Sequence, residues 1–215
     1  MAWQQDYLLR MIQDLNLFMS RIVKLRREAK PEEALDLLTG ESTRISGIPP
    51  TLVYALSDDD LIETLTARGA LEPERCFAIA ELFREEGMIH EELGNETEAG
   101  ARLAKAARLY AEALRLAPPE NDKIDPSGLR ETLAHVHASW IDGRSIDRVL
   151  DTLVEFGALD VADNVIYELL ESDEDGGQAF RARRVWHDIL AQSDYTLARS
   201  NLEREEIEEA LAKLD

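Results

Sequence analysis

Apolar residues recur three and four positions apart along almost the whole chain, and strand-like alternation is nearly missing. The spacing predicts helices at about 4–28, 31–39, 58–68, 73–93, 95–117, 127–141, 144–157, 159–171, 177–192 and 203–214, with a short helical turn near 194–200. One apolar run, Thr51–Leu56, has strand length, yet it follows Pro49–Pro50, a pair that also suits a helix start. Pro31 and Pro73 sit where a first helical turn tolerates a missing N–H, and Ser57 precedes three aspartates as a capping residue. Gly40, Gly69 and Gly94 mark expected helix ends. The polar connector "PPENDKIDPSG", starting at Pro118, divides an N-terminal lobe, 1–119, from a C-terminal lobe, 120–215, with one continuous domain as the alternative. The fold class is therefore all-α, with about ten helices.

The first helix has a wider apolar side than a surface helix requires. Leu8, Met11, Leu15, Phe18, Ile22 and Leu25 keep a 3-4 spacing throughout, Ile12 and Met19 widen the face, and Leu9 and Leu17 lie outside it. One stripe is expected to pack on the body of the protein. The rest is a candidate contact for a second copy, giving a homodimer through this helix.

Around Gly94 the chain carries Phe83, Gly87, Leu93, Gly94 and Asn95, and then Ala99, Leu103 and Ala106. In these positions it resembles a tetratricopeptide repeat, the 34-residue helix-turn-helix unit of helical solenoids. The small-large-small series then recurs one heptad later as Ala106, Tyr110 and Ala113, and the partner helix starts seven residues early, at Pro73. Seven residues is close to two whole turns, so both arms are lengthened together at the open end of the hairpin. The added apolar side chains, Cys76, Phe77, Ile79, Leu109 and Tyr110, are too few to offset the ordering of fourteen residues. Another element must cover them, and the first helix is expected to contact the Phe77/Tyr110 end.

A fainter unit turns at Gly157, followed by Ala162, Ile166 and Leu169, and "REAKPEEALDLL" resembles half of another. The order of helices, with the ending "SDYTLARSNLEREEIEEALAKL", also resembles an uncharacterised bacterial family labelled as repeat proteins. The resemblance implies helical hairpins stacked in an irregular right-handed array, and a concave face made from first helices. The groove positions it implies are Glu81, Arg84, Met88, Glu91 and Glu92 in the long unit, with Arg144, Asp147, Asp151, Val154 and Glu155 in the second. Two arginines among six acids make a poor clamp for a peptide carboxylate. An acidic groove favours a basic peptide or protein surface instead.

Charge changes the picture in the same direction. The net charge is −20, with +3 over residues 1–30 and all of the deficit after them. A surface this acidic repels phosphate backbones and anionic lipid, which argues against nucleic-acid and membrane partners. No apolar run approaches the roughly 20 residues of a membrane span, and Asp6, Arg10 and Asp14 interrupt any signal-peptide core, so a cytoplasmic protein is expected.

Candidate chemistry is sparse. Cys76 is the single cysteine and reads as a buried structural thiol. His135 and His137 are two apart, so on a helix they diverge, and His90 lacks the second histidine of a helical zinc pair. The acidic turn at Ser172–Gly177 has Gly177 and Arg184 where a calcium loop needs ligands. No metal or cofactor is expected. The sequence thus points to a non-catalytic protein–protein interaction module. The alternative is an enzyme or small-ligand binder using a pocket between the lobes near Trp140, His135 and His137.

Overall fold

The computed structural model describes residues 2–67, 70–117, 124, 126–173 and 176–214. Among them the chain is all-α: α1 (Ala2–Arg27), α2 (Pro31–Ser46), α3 (Pro50–Ala55), α4 (Asp58–Leu65), α5 (Pro73–Glu92), α6 (Glu96–Leu116), α7 (Ser127–Leu133), α8 (Gly143–Glu155), α9 (Leu159–Glu171), α10 (Ala179–Leu190), α11 (Asp194–Arg199) and α12 (Arg204–Ala212). A 3-10 turn, Ala138–Trp140, links α7 to α8. Two-residue strands, β1 (Thr66–Ala67) and β2 (Ala70–Leu71), pair antiparallel after α4.

The expected helices are present, and three boundaries move for local reasons. α2 runs through Gly40 and stops at Gly47, whose φ of 70° supplies the left-handed cap and whose N–H bonds the Thr43 carbonyl. A mid-helix glycine costs only about 1 kcal/mol, whereas a left-handed cap ends a helix outright. The helix expected over 127–141 breaks after Leu133, because His137 turns its ring back to accept from the Ser139 N–H and caps the 3-10 turn instead. α4 ends at Leu65, where the Thr66 hydroxyl donates to the Ile62 carbonyl. The expected stop at Gly69, and residues 118–123 of the expected connector, lie outside the described residues.

The long hairpin α5–α6 is the axis of the molecule. The two arms run antiparallel: Cys76 and Glu81 early in α5 reach Leu109 and Tyr110, whereas Glu86 and Gly87 late in α5 meet Arg102 and Leu103 nearer the start of α6. A Cβ on Gly87 would lie 2.6 Å from Leu103 Cγ, so only glycine permits this approach. Gly94 closes the hairpin at φ 74°.

The lengthened end is covered, and the described cover comes from elements other than α1. Tyr110 is fully buried, with its ring edge-on to Phe77 and its far side against Gly128 of α7. Leu61 and Leu65 of α4, Val53 of α3 and Ile124 complete the cover in one core that continues to Ala210 of α12. The described side chains of α1 pack elsewhere. Leu15, Phe18 and Ile22 join Ala34 and Leu38 of α2 against Ala78, Leu82 and Ile89 on another face of α5. The contact expected between α1 and the Phe77/Tyr110 end does not occur among these described side chains, and those of residues 2–12 lie outside the described residues.

The same packing occupies part of the face expected to make the dimer contact. Leu15, Phe18 and Ile22 are at most 2% exposed within one chain, and Leu25 is half-buried against them, so these positions already have their partners. Leu17, 69% exposed, is the large apolar side chain of α1 left at the surface among those described. The side chains of Leu8 and Met11 lie outside the described residues.

Candidate functional site

The expected groove positions fall into two separate neighbourhoods. Those on α5 face α1 and α7. Arg26 of α1 donates to Glu85 at 2.7 Å and to Glu92 at 2.7 and 2.9 Å, and its Nη1 lies 3.8 Å from Met88 Sδ. Arg84 bridges Glu81, Glu85 and Glu131 at 2.9, 3.1 and 2.8 Å. Glu91 meets His135 at 2.9 Å. Burial raises the Glu81 carboxyl above its ordinary range, although Arg84 and the Tyr110 hydroxyl, at 2.6 Å, oppose the shift.

Those on α8 face α4 and α10, because α8 packs on α6, α9 and α10. Arg144 pairs with Asp59 of α4 at 2.7 Å. Asp147 holds Arg181 at 2.7 Å and Arg184 at 3.3 Å, and Asp151 also bonds Arg184. Val154 packs against the core, and Glu155 is exposed. The acids that were to receive a basic partner are therefore largely neutralised by this chain's own arginines, Glu91 and Glu155 apart.

The three residues of the alternative pocket do not converge. His135 turns to α5, His137 caps its own turn, and Trp140 lies over Gly100 of α6 with 47% of its surface exposed. Among the described residues no group of three potential metal ligands occurs, and no helix is long and apolar enough to cross a membrane.

A groove that sequence reasoning missed follows α9 from end to end. Two open clefts of about 470 and 450 Å³ share Arg130 and Asp160. These two side chains form a two-pronged ion pair at 2.6 and 3.1 Å across the middle of the groove. Hydrogen bonds from Arg130 hold the Asp160 carboxyl below its usual range, so the pair stays charged. The first cleft lies where α8 and α11 end and α9 begins. Gly157 (φ 70°) and Asn201 (φ 55°) turn the chain there in left-handed conformations, and the Ser200 hydroxyl donates to the Gly157 carbonyl at 3.2 Å. Phe156 and Tyr195 stand at its rim, 42% and 72% exposed, beside Arg199.

The second cleft follows one face of α9 through Asn164, Tyr167, Glu168 and Glu171, with Leu133 and Ala134 of α7 as the opposite wall. Tyr167 is 44% exposed, its ring 5.5 Å from that of Trp186. Glu168 accepts from the Ala138 N–H at 3.0 Å, which ties the 3-10 turn to the groove wall. The sequence carried one signal for this face: Asp160, Asn164, Tyr167, Glu168 and Glu171 share a helical stripe opposite the buried Ala162, Ile166 and Leu169.

No curated protein and no solved structure matches the chain. The model of one family, described as "Family of unknown function (DUF6483)", matches residues 2–215, and the chain belongs to that family.

Proposed function

We propose that this protein is a non-catalytic interaction module that takes up a segment of a protein partner along α9. The observation that carries this reading is the groove itself: an open trough on a fixed helical frame, with Phe156, Tyr167 and Tyr195 each more than two-fifths exposed along it. Exposed aromatics around a polar, half-open cleft are the composition of docking surfaces, where a few rings supply most of the binding energy. Enzyme pockets, in contrast, enclose most of a small ligand's surface. The resemblance of α5–α6 to tetratricopeptide hairpins supports the same class, since such arrays present rigid faces to partners.

The test is capture from lysate of the source cells with wild-type protein and two variants. In one, Phe156 and Tyr195 are both changed to Ala. In the other, Phe180, an aromatic 78% exposed outside the groove, is changed to Ala as a control. A discrete partner held by wild type and by Phe180→Ala but lost from the double variant supports the module. A partner profile indifferent to the double substitution removes the groove as the docking face, and the absence of any specific partner overturns the reading.

A further inference from the structure

Charge along the α9 groove is ordered from one end to the other. At the start of α9, Arg130 and Asp160 cancel one another, and Arg199 has no acidic partner among the described residues. Its cation sits beside the positive end of the helix dipole. At the other end Glu168 and Glu171 line the cleft, next to the negative end of the same dipole. A chain of net charge −20 thus places an unpaired cation next to two exposed rings, Phe156 and Tyr195, and keeps uncompensated acid beside Tyr167.

We infer that the occupant is an extended peptide segment of opposite polarity: an apolar side chain next to an acid at the Phe156/Arg199 end, and a Lys or Arg at the Glu171 end. The inference rests on the interaction-module reading above and adds the partner's chemistry. The helix sets the spacing. Asp160 to Glu171 is a climb of about 16 Å at 1.5 Å per residue, which an extended chain covers in about five residues. The apolar side chain fits between Phe156 and Tyr195, which fixes the end at which the acid must lie. The distal cation meets Glu171 and the exposed face of Tyr167, where carboxylate and ring both attract it.

Fluorescence anisotropy with labelled synthetic peptides tests this. The probe has a Ser/Ala background carrying Phe-Asp, with Arg five positions after the Asp. Three twins differ from it by Arg→Glu, by Asp→Lys, or by moving the Arg next to the Asp. The dipolar probe should bind more tightly than every twin by about two- to fivefold at low salt, the upper part of the range that exposed charge pairs give. Arg199→Glu and Glu171→Lys should each weaken the probe by a similar factor. The protein carrying both reversals should prefer a probe with its two charges exchanged. Equal binding of probe and twins, no binding of the probe, or indifference to both substitutions overturns the dipolar occupant.

The capture experiment separates the two levels. A partner lost with Phe156→Ala and Tyr195→Ala but unchanged by Arg199→Glu and Glu171→Lys keeps the module and rejects this occupant. Self-association seen by light scattering, and abolished by the aromatic substitutions, makes a second copy the occupant and rejects it also.

Discussion

Gly128 and Gly100 pose the same steric problem with opposite expected outcomes. A Cβ built on Gly128 lies 2.7, 2.8 and 3.0 Å from Cε1, Cζ and Oη of Tyr110. One built on Gly100 lies 2.7, 2.7 and 3.1 Å from three atoms of the Trp140 indole. Tyr110 is 0% exposed, its ring stands edge-on to Phe77 at 5.6 Å, and its hydroxyl donates to Glu81 at 2.6 Å. It can yield only by breaking that hydrogen bond or by pushing α7 outward. Overpacking of this kind costs about 1–3 kcal/mol, and stranding the Glu81 acceptor adds about 1–3 kcal/mol. The helix-propensity gain of alanine, about 1 kcal/mol at most, is reduced at the second position of a short helix.

Trp140 is 47% exposed on a 3-10 turn, and it can swing away from a new methyl group. Gly100 lies inside α6, where alanine gains its full propensity of about 1 kcal/mol. Gly128→Ala should therefore lower stability by about 1–6 kcal/mol, or about 2–4 °C in Tm per kcal/mol at this chain length. Gly100→Ala should stay within about 1 kcal/mol of wild type and red-shift the tryptophan emission as the indole leaves its seat. Urea titrations followed by circular dichroism measure both. If Gly128→Ala matched wild type while Gly100→Ala unfolded early, burial of the clashing ring would not be what decides the cost.

Other residues give sharp expectations. Glu81 has a raised carboxyl pKa in the fold, so its contribution is full below the unfolded value of 4.5 and declines as pH rises through the folded one. Glu81→Gln should flatten that decline in a pH series of urea midpoints, and an unchanged slope refutes the assignment. Glu112 has the opposite sign. Burial opposes its ionisation, hydrogen bonds from Arg108 and Arg115 prevail, and its stabilisation is lost as pH falls through the depressed value. Glu112→Gln leaves Arg108, Arg115 and Arg148 without their shared carboxylate and should cost about 3 kcal/mol or more at neutral pH; a loss under 1 kcal/mol contradicts this. Burial pushes the Cys76 thiol up to about 12, so an aromatic disulfide reagent at pH 8 should find one thiol per chain in urea and none in the native protein. Reversing Glu92 and Asp147 to Lys sets like charge against Arg26, Arg181 and Arg184. It should lower the urea midpoint before it alters any partner, and undiminished stability would return these acids to the docking face.

Helical spacing located the long hairpin because both its arms obey local rules: Pro73 opens α5, Gly94 turns the chain, and the apolar series of α6 runs unbroken to Leu116. Those rules stop at the element. They do not say which neighbour covers Phe77 and Tyr110, since α1, α4 and α7 all offered apolar faces of suitable width and only packing in three dimensions chooses among them. They also misplace an end where two local signals compete, as Gly47 does with Gly40 and the His137 cap does with the helix expected to 141.

The site was hidden for a related reason. Net charge is a property of composition, whereas docking depends on charge left unpaired at one face. Three of the acids expected to line a groove, Glu92, Asp147 and Asp151, have arginine partners 33 to 66 residues away in sequence, and no spacing rule predicts such pairs. Arg199 shows the converse. It reads as an ordinary cation in an acidic segment, yet the fold carries it to the rim of a cleft beside Tyr195, four residues before it on the same face of α11, with no acidic partner among the described residues. A cation left alone in a chain with a twenty-charge acidic excess is held apart by the frame around it. Here that frame is the buried side of α11, through Leu197, and the bond from Ser200 to Gly157 that fixes where the helix ends. Replacing Ser200 with Ala should therefore loosen the cleft while leaving Phe156, Tyr195 and Arg199 in place, and a weaker partner signal in the capture experiment from that variant would show that groove geometry matters beside groove chemistry.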